Sequence, residues 1–174
     1  DLFNPDRKSS LKLYINRVFI TDNCDNLIPA YLRFVKGIVD TQDIDLNVSR
    51  EMLQNNPAVA KISKSLVGKI LRELKKIADK DKAKYIQFWN EFGQVLKEGL
   101  YEDLERKDTL LELARFSNNE NDDLISLEDY VNAMDKNQKD IYYIAADTKS
   151  QALSSPHLEG FKLSLIHISE PTRQ

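Results

Sequence analysis

The sequence predicts a mixed α/β (α+β) chain. A strand and helix come first, a helical stretch fills the middle, and a new strand–helix unit starts near the end. Three observations predict this. Leu11, Leu13 and Ile15 alternate with Lys12, Tyr14 and Asn16, the two-residue period of a half-buried strand. Val59, Ile62, Leu66, Ile70, Leu74 and Ile77 keep one face apolar at helical spacing. The run from Asp140 to Ala146 carries apolar groups on both faces and reads as a buried, parallel strand.

Each element has a local justification. The strand alternation breaks at Arg17 and an apolar run, Val18-Phe19-Ile20, follows, so a bulge is expected there. Thr21-Asp22-Asn23 is turn chemistry. Leu27 to Val39 reads as helix, with Pro29 in its first turn and Leu32, Val35, Ile38 and Val39 as its buried stripe. Asp40 to Val48 reads as a loop, and Ser49 as the N-cap of the next helix. Pro57 disfavours helical geometry at Asn56, so that helix stops early and Asn56 caps a new one running to about Asp79. Residues 83–97 repeat the helical period with Tyr85, Phe88, Trp89, Phe92 and Leu96, and Thr109 to Phe116 adds a shorter helix. Ser126-Leu127-Glu128-Asp129 is a capping-box pattern flanked by Ile125 and Tyr130, which stand at staple positions. Thr148 to Phe161 would be the closing helix. The first strand and the last are expected to lack partners within the chain. The organisation is therefore 1–48, the end of a first α/β segment; 49–135, helical; 136–162, the start of a second α/β segment.

The segment Asn47-Val48-Ser49-Arg50-Glu51-Met52-Leu53-Gln54 carries the strongest chemical signal. With Ser49 as N-cap, Arg50 falls on a first helical turn, where the macrodipole disfavours a cation. Such an arginine needs a compensating partner. One candidate is an anion held between the guanidinium and the free N–H groups of the helix start. Gln54, four residues on, shares that face. The alternative is an ordinary ion pair between Arg50 and Asp43 or Asp45 that pins the loop.

Other features read more plainly. Net charge is −3, with 41% hydrophobic and 30% charged residues, as in a soluble globular piece. No apolar run approaches the ~20 residues that span a bilayer. The start, Asp1-Leu2-Phe3-Asn4-Pro5, has neither an initiator Met nor a signal peptide and reads as cut from something longer. The single cysteine, Cys24, permits no internal disulfide and fits a cytoplasmic origin. Tyr85, Phe88, Trp89 and Phe92 form a stripe that reads as helical core, with a protein-contact patch as the alternative. Lys61, Lys64, Arg72, Lys75 and Lys76 form a basic face that reads as solvated, and the acidic net charge argues against nucleic acid. The acidic clusters Glu102, Asp103, Glu105 and Glu120-Asn121-Asp122-Asp123 lack calcium-loop spacing, and His157 has no partner at zinc-ligand spacing. No metal site is expected.

The Asp40-x-x-Asp43-x-x-Leu46-Asn47-Val48-Ser49-Arg50-Glu51-Met52-Leu53-Gln54 block resembles the catalytic loop and following helix of the heat shock protein 90 chaperones, bacterial branch. Further blocks match in the same order: Leu13 to Asp22, Leu27 to Gly37, Phe92 to Gly99, Ser126 to Val131 and Ile141 to Ile144. The matching runs cover residues 1 to about 162 and correspond to the middle domain alone. Residues 163–174 depart from the family, which would continue with a charged turn and a buried strand. They resemble the translation of a sequencing-library adapter and are expected to be a non-native tail, with a buried strand as the alternative.

The resemblance implies the middle domain of an ATP-dependent chaperone acting in protein folding and the stress response, in the cytoplasm. By matching position, Arg50 would contact the terminal phosphate of ATP and Gln54 would support it. ATP and its Mg²⁺ would be held by an N-terminal ATPase domain outside this chain. Partners implied are that ATPase domain, client proteins, and a second copy through a C-terminal domain; neither nucleic acid nor membrane is implied. The fragment alone is expected to be inactive. The competing reading is a non-enzymatic helical protein-interaction module in which Arg50 is structural.

Overall fold

The computed structural model describes residues 10–22, 24, 26–47, 49, 52–53, 55–119, 123–136, 138–146, 148–156, 158 and 166–169. The fold is mixed α/β. The chain divides into two compact units, Asp1–Lys80 and Asp81–Gln174.

The first unit is built on strand β1, Ser10–Ile15. Its alternation behaves as the period requires: Leu11, Leu13 and Ile15 are buried, while Lys12 is exposed. The strand does not stand alone. It lies between β2, Val18–Thr21, which is antiparallel to it, and β3, Lys36–Thr41, which is parallel. The break at Arg17 is a two-residue hairpin turn in place of a bulge. Asn16 and Arg17 have φ of 50° and 67°, the pair of left-handed conformations that a tight hairpin of this twist demands. The register irregularity falls instead between Leu13 and Tyr14. The end of β3 clasps this turn: the Asn16 N–H donates to the Thr41 carbonyl at 3.0 Å and the Arg17 N–H to Asp40 Oδ1 at 3.1 Å.

The helix expected over Leu27 to Val39 does not form. A 3-10 turn covers Ala30–Leu32, and the chain then enters β3. Gly37 and the β-branched Ile38, Val39 and Thr41 are poor helix formers, and pairing with β1 satisfies their backbone groups instead. Leu32 of the expected stripe is buried, whereas Ile38 is 67% exposed. The side chains that fill the core here are Leu27, Ile28, Tyr31 and Leu32.

Helix α1, Pro57–Lys80, starts where expected. Asn56 Oδ1 accepts from the Ala58 N–H at 2.8 Å, and Pro57, which lacks a donor, sits in the first turn. Its most deeply buried line is Val59, Val67, Leu71, Leu74 and Ala78. Ile62, Leu66, Ile70 and Ile77 flank that line, half-buried.

The second unit opens with α2, Lys82–Glu102, capped by Asp81, whose carboxylate accepts from the Lys84 N–H at 3.0 Å. Helix α3, Lys107–Leu113, ends three residues short of Phe116 because Phe116 leaves to form a bridge with Ile125, through two 2.9 Å backbone hydrogen bonds. The short strand β4, Ser117–Asn118, follows. Helix α4, Leu127–Ala133, carries the full capping box. Ser126 Oγ accepts from the Asp129 N–H at 3.0 Å, and Asp129 Oδ2 accepts from the Ser126 N–H at 3.3 Å.

Strand β5, Tyr142–Ala145, is parallel to β6, Ile166–Ser169, as its apolar run suggested. It is not buried on both faces, however: Tyr143 is 75% exposed. Strand β6 lies in the centre of the sheet, in the order β4-β6-β5, antiparallel to β4. The strands at both ends of the chain therefore have partners within it. Helix α5, Lys149–Leu153, capped by Thr148, stops well before Phe161, and Pro156 follows closely.

Two aromatic groups organise this unit. Tyr85, fully buried on α2, donates its hydroxyl to the Leu113 carbonyl at 2.7 Å, and burial pushes its pKa well above the usual tyrosine range. Trp89, one turn on, lies against Gly93: a Cβ at that position would sit 2.7 Å from two atoms of the indole ring.

Three outcomes are expected. Arg17→Gly should raise stability by about 0.5–1 kcal/mol in urea unfolding, since glycine enters the left-handed region without the Cβ clash and the Arg17 N–H bond to Asp40 is kept. Gly93→Ala should cost about 1–3 kcal/mol and displace the indole, seen as a shifted tryptophan emission. Ser126→Ala should cost about 1 kcal/mol at neutral pH. The Ser126 hydroxyl is the largest cause holding the Asp129 carboxyl below its ordinary value. A carboxyl depressed by folding stabilises above its unfolded pKa and loses that contribution as pH falls through the lower folded value. The gap between parent and Ser126→Ala should therefore narrow below about pH 4.

Candidate functional site

The loop that carries the strongest chemical signal leaves β3 at Thr41, whose buried hydroxyl accepts from the Asp43 N–H at 3.1 Å. Ile44 is buried and anchors the loop, while Leu46 and Asn47 are exposed. At its end Ser49 is the N-cap that its sequence suggests. Ser49 Oγ accepts from the Met52 N–H at 3.3 Å, and its carbonyl accepts from the Leu53 N–H at 3.1 Å. Leu53 turns into the core and Met52 is 59% exposed. Arg50, Glu51 and Gln54 lie outside the described residues, as does His157.

The basic face of α1 is exposed at Lys61, Lys64, Arg72, Lys75 and Lys76. Lys76 pairs with Glu73 at 2.7 Å, and that pairing holds the Glu73 carboxyl below its ordinary value. The aromatic stripe of α2 divides. Tyr85 and Trp89 are core, Phe88 is half-buried, and Phe92 is 36% exposed. Adjacent rings along the stripe lie 5.6 Å (Tyr85–Phe88 and Phe88–Phe92) and 6.4 Å (Tyr85–Trp89) apart.

The acidic cluster at the end of α2 has a structural task at its centre. Asp103 accepts from the Arg106 N–H at 3.2 Å and pairs with the Arg106 guanidinium at 2.7 Å, capping a 3-10 turn. Cys24 is buried. Among the described residues, no group of three His, Cys, Asp or Glu side chains could hold a metal ion, and no helix is long and apolar enough to cross a membrane.

One grouping is invisible to local sequence reading. Lys97 Nζ lies 5.6 Å from the Trp89 ring and 5.2 Å from that of Phe116. Arg115 lies 4.7 Å above Tyr85, with Nη1 donating to the carbonyls of Glu112, Leu113 and Ala114 at 2.9–3.1 Å. The eight-residue spacing of Trp89 and Lys97 marks one helix face, but Arg115 and Phe116 arrive from beyond a helix and a turn.

The chain matches the family model described as Hsp90 protein over residues 1–170. It is 56% identical to the chaperone protein HtpG of Paramagnetospirillum magneticum over 161 residues, covering 92% of this chain and 26% of that protein. It is 52% identical to HtpG of Roseobacter denitrificans over 168 residues, covering 97% and 27%. It therefore spans about a quarter of the length of these curated relatives. Among solved structures, the middle domain of a Plasmodium falciparum heat shock protein superposes with a TM-score of 0.82 at 31% identity, over 97% of this chain and 65% of that one. A sheet, a capped loop and a helical stretch in this order, matched over nearly the whole length, make this chain a middle domain of the heat shock protein 90 family.

Proposed function

We propose that the chain is the middle segment of a cytoplasmic, ATP-dependent chaperone that assists protein folding, and that Arg50 serves as an arginine finger supplied in cis. One observation carries the reading: within the block that resembles the family's catalytic loop, Ser49 caps a helical turn, with its hydroxyl on the Met52 N–H. Arg50 follows that cap directly in sequence, after a loop whose base is tied to β3.

The chemistry follows from the residue type. ATP and its Mg²⁺ are held by an N-terminal ATPase domain outside this chain. When the domains close, the Arg50 guanidinium meets the terminal phosphate and offsets charge that grows on the transferring phosphoryl group. Its planar fork can engage two phosphate oxygens together, which an ammonium cannot copy. Gln54, four residues on in sequence, steadies the same oxygens. Client proteins, and a second copy joined through a C-terminal domain, complete the machine.

In the full-length chaperone carrying this segment, Arg50→Ala should lower ATP turnover by on the order of 10³-fold, the low end of the arginine-finger scale. Nucleotide affinity should stay nearly unchanged, because the affected interaction forms at the transition state. Arg50→Lys should restore little. Unchanged turnover in Arg50→Ala would overturn the role. The non-enzymatic alternative separates in one mixing experiment with an isolated N-terminal ATPase domain: Arg50-dependent stimulation of hydrolysis supports the proposal, and partner binding indifferent to Arg50 supports the alternative.

A further inference from the structure

We propose that Thr41 is a positioning residue for the loop that leads to Arg50: its buried hydroxyl, held at the end of β3, sets the path on which the chain leaves the sheet. The inference deepens the function proposed above and rests on that reading of Arg50.

Thr41 is fastened in three ways. It is the last residue of β3 and stands opposite Ile15 in the parallel register. Its carbonyl accepts from the Asn16 N–H at 3.0 Å, which locks it to the hairpin turn. Its side chain is buried, and Oγ1 accepts from the Asp43 N–H at 3.1 Å. A β-branched side chain is stiff at χ1, so a buried threonine presents its oxygen at a defined place. The first bend of the loop is thereby referred to the sheet. Ile44, the residue after Asp43, is buried and secures the same bend. At the far end Ser49 accepts from the N–H groups of Met52 and Leu53, and Leu53 is buried. In sequence Arg50 lies between Ser49 and Leu53.

Support of the fold and positioning of the loop make opposite demands on this side chain. Valine has nearly the outline of threonine and is at home in a buried strand, whereas serine keeps the oxygen and loses the buried methyl and the β-branch. Asp43 is exposed, so its N–H finds water once Oγ1 is removed, and folding loses little. What goes is the fixed bend. Catalytic geometry is sensitive to such a loss, since a misplacement of about 1 Å costs on the order of 10²-fold in rate. A residue that merely supports the fold makes Thr41→Val mild and Thr41→Ser harmful. A positioning residue reverses that order.

The test uses the full-length chaperone carrying this segment and radiolabelled ATP. Thr41→Val should lower kcat about tenfold with KM for ATP unchanged, and Thr41→Ser should stay within about twofold of the parent. In an Arg50→Ala background Thr41→Val should add no further loss, because it acts through that arginine. Hydrogen exchange gives a readout that does not involve ATP: the Asp43 N–H should exchange about tenfold faster in Thr41→Val and at the parental rate in Thr41→Ser. Four results would overturn the inference while Arg50→Ala remains slow: parental turnover in Thr41→Val, Thr41→Ser as slow as Thr41→Val, a further loss in the Arg50→Ala background, or unchanged Asp43 exchange in Thr41→Val. Parental turnover in Arg50→Ala alone is a different result, which overturns the role of Arg50 and this inference with it. If Thr41→Val does not fold, Thr41→Ala set against Thr41→Ser decides, since both lack the methyl group and they differ by the hydroxyl.

Discussion

The clasp between the end of β3 and the Asn16-Arg17 turn is the constraint on which the first unit depends. Two hydrogen bonds, one from each turn residue, tie a hairpin to a strand that arrives more than twenty residues later. They close the sheet at the point where the next loop departs. The Thr41 carbonyl accepts from the clasp and its hydroxyl oxygen accepts from the loop, so one buried residue serves both. The loop is then pinned by Ile44 and ended by the Ser49 cap. The described residues of this loop thus inherit their position from the sheet.

The second unit finishes its backbone with side chains. Arg115 takes the last carbonyls of α3, Asp103 caps a turn, and Ser126 with Asp129 opens α4. Tyr130, fully buried, accepts from the Tyr142 N–H at 3.0 Å and from the Gln138 amide at 2.8 Å, which joins α4 to β5. Each of these bonds removes an orphan polar group that burial would otherwise make costly. Short helices are marginal alone, and here their ends are held by named partners.

What could be read from the sequence was what is local. The Asn56-Pro57 start of α1 and the Ser126 box depend on residues within one turn, and both appear as expected. The alternation of β1 is equally local. Strand β3 was misread because its six residues also fit a helical stripe, and only pairing with β1, distant in sequence, decides between the two. The division of the aromatic stripe into core and surface followed the same rule: spacing placed Tyr85 and Phe92 on one face, and tertiary packing buried one and left the other at the rim. The loop ending at Ser49 was legible through family resemblance and its cap. The grouping of Lys97 and Arg115 with aromatic rings was not, because the two come from segments separated by a helix and a turn.

The order β4-β6-β5 has a consequence for how the chain is made. Strand β6 follows β4 and β5 in sequence yet lies between them, whereas all three strands of the first sheet lie within residues 10–41. As the polypeptide leaves the ribosome, the leading sheet can zip up at once. The other leaves β4 and β5 without their shared partner until β6 emerges. Unpaired edges recruit other strands, so a nascent chain is exposed to mispairing until β6 joins β4 and β5.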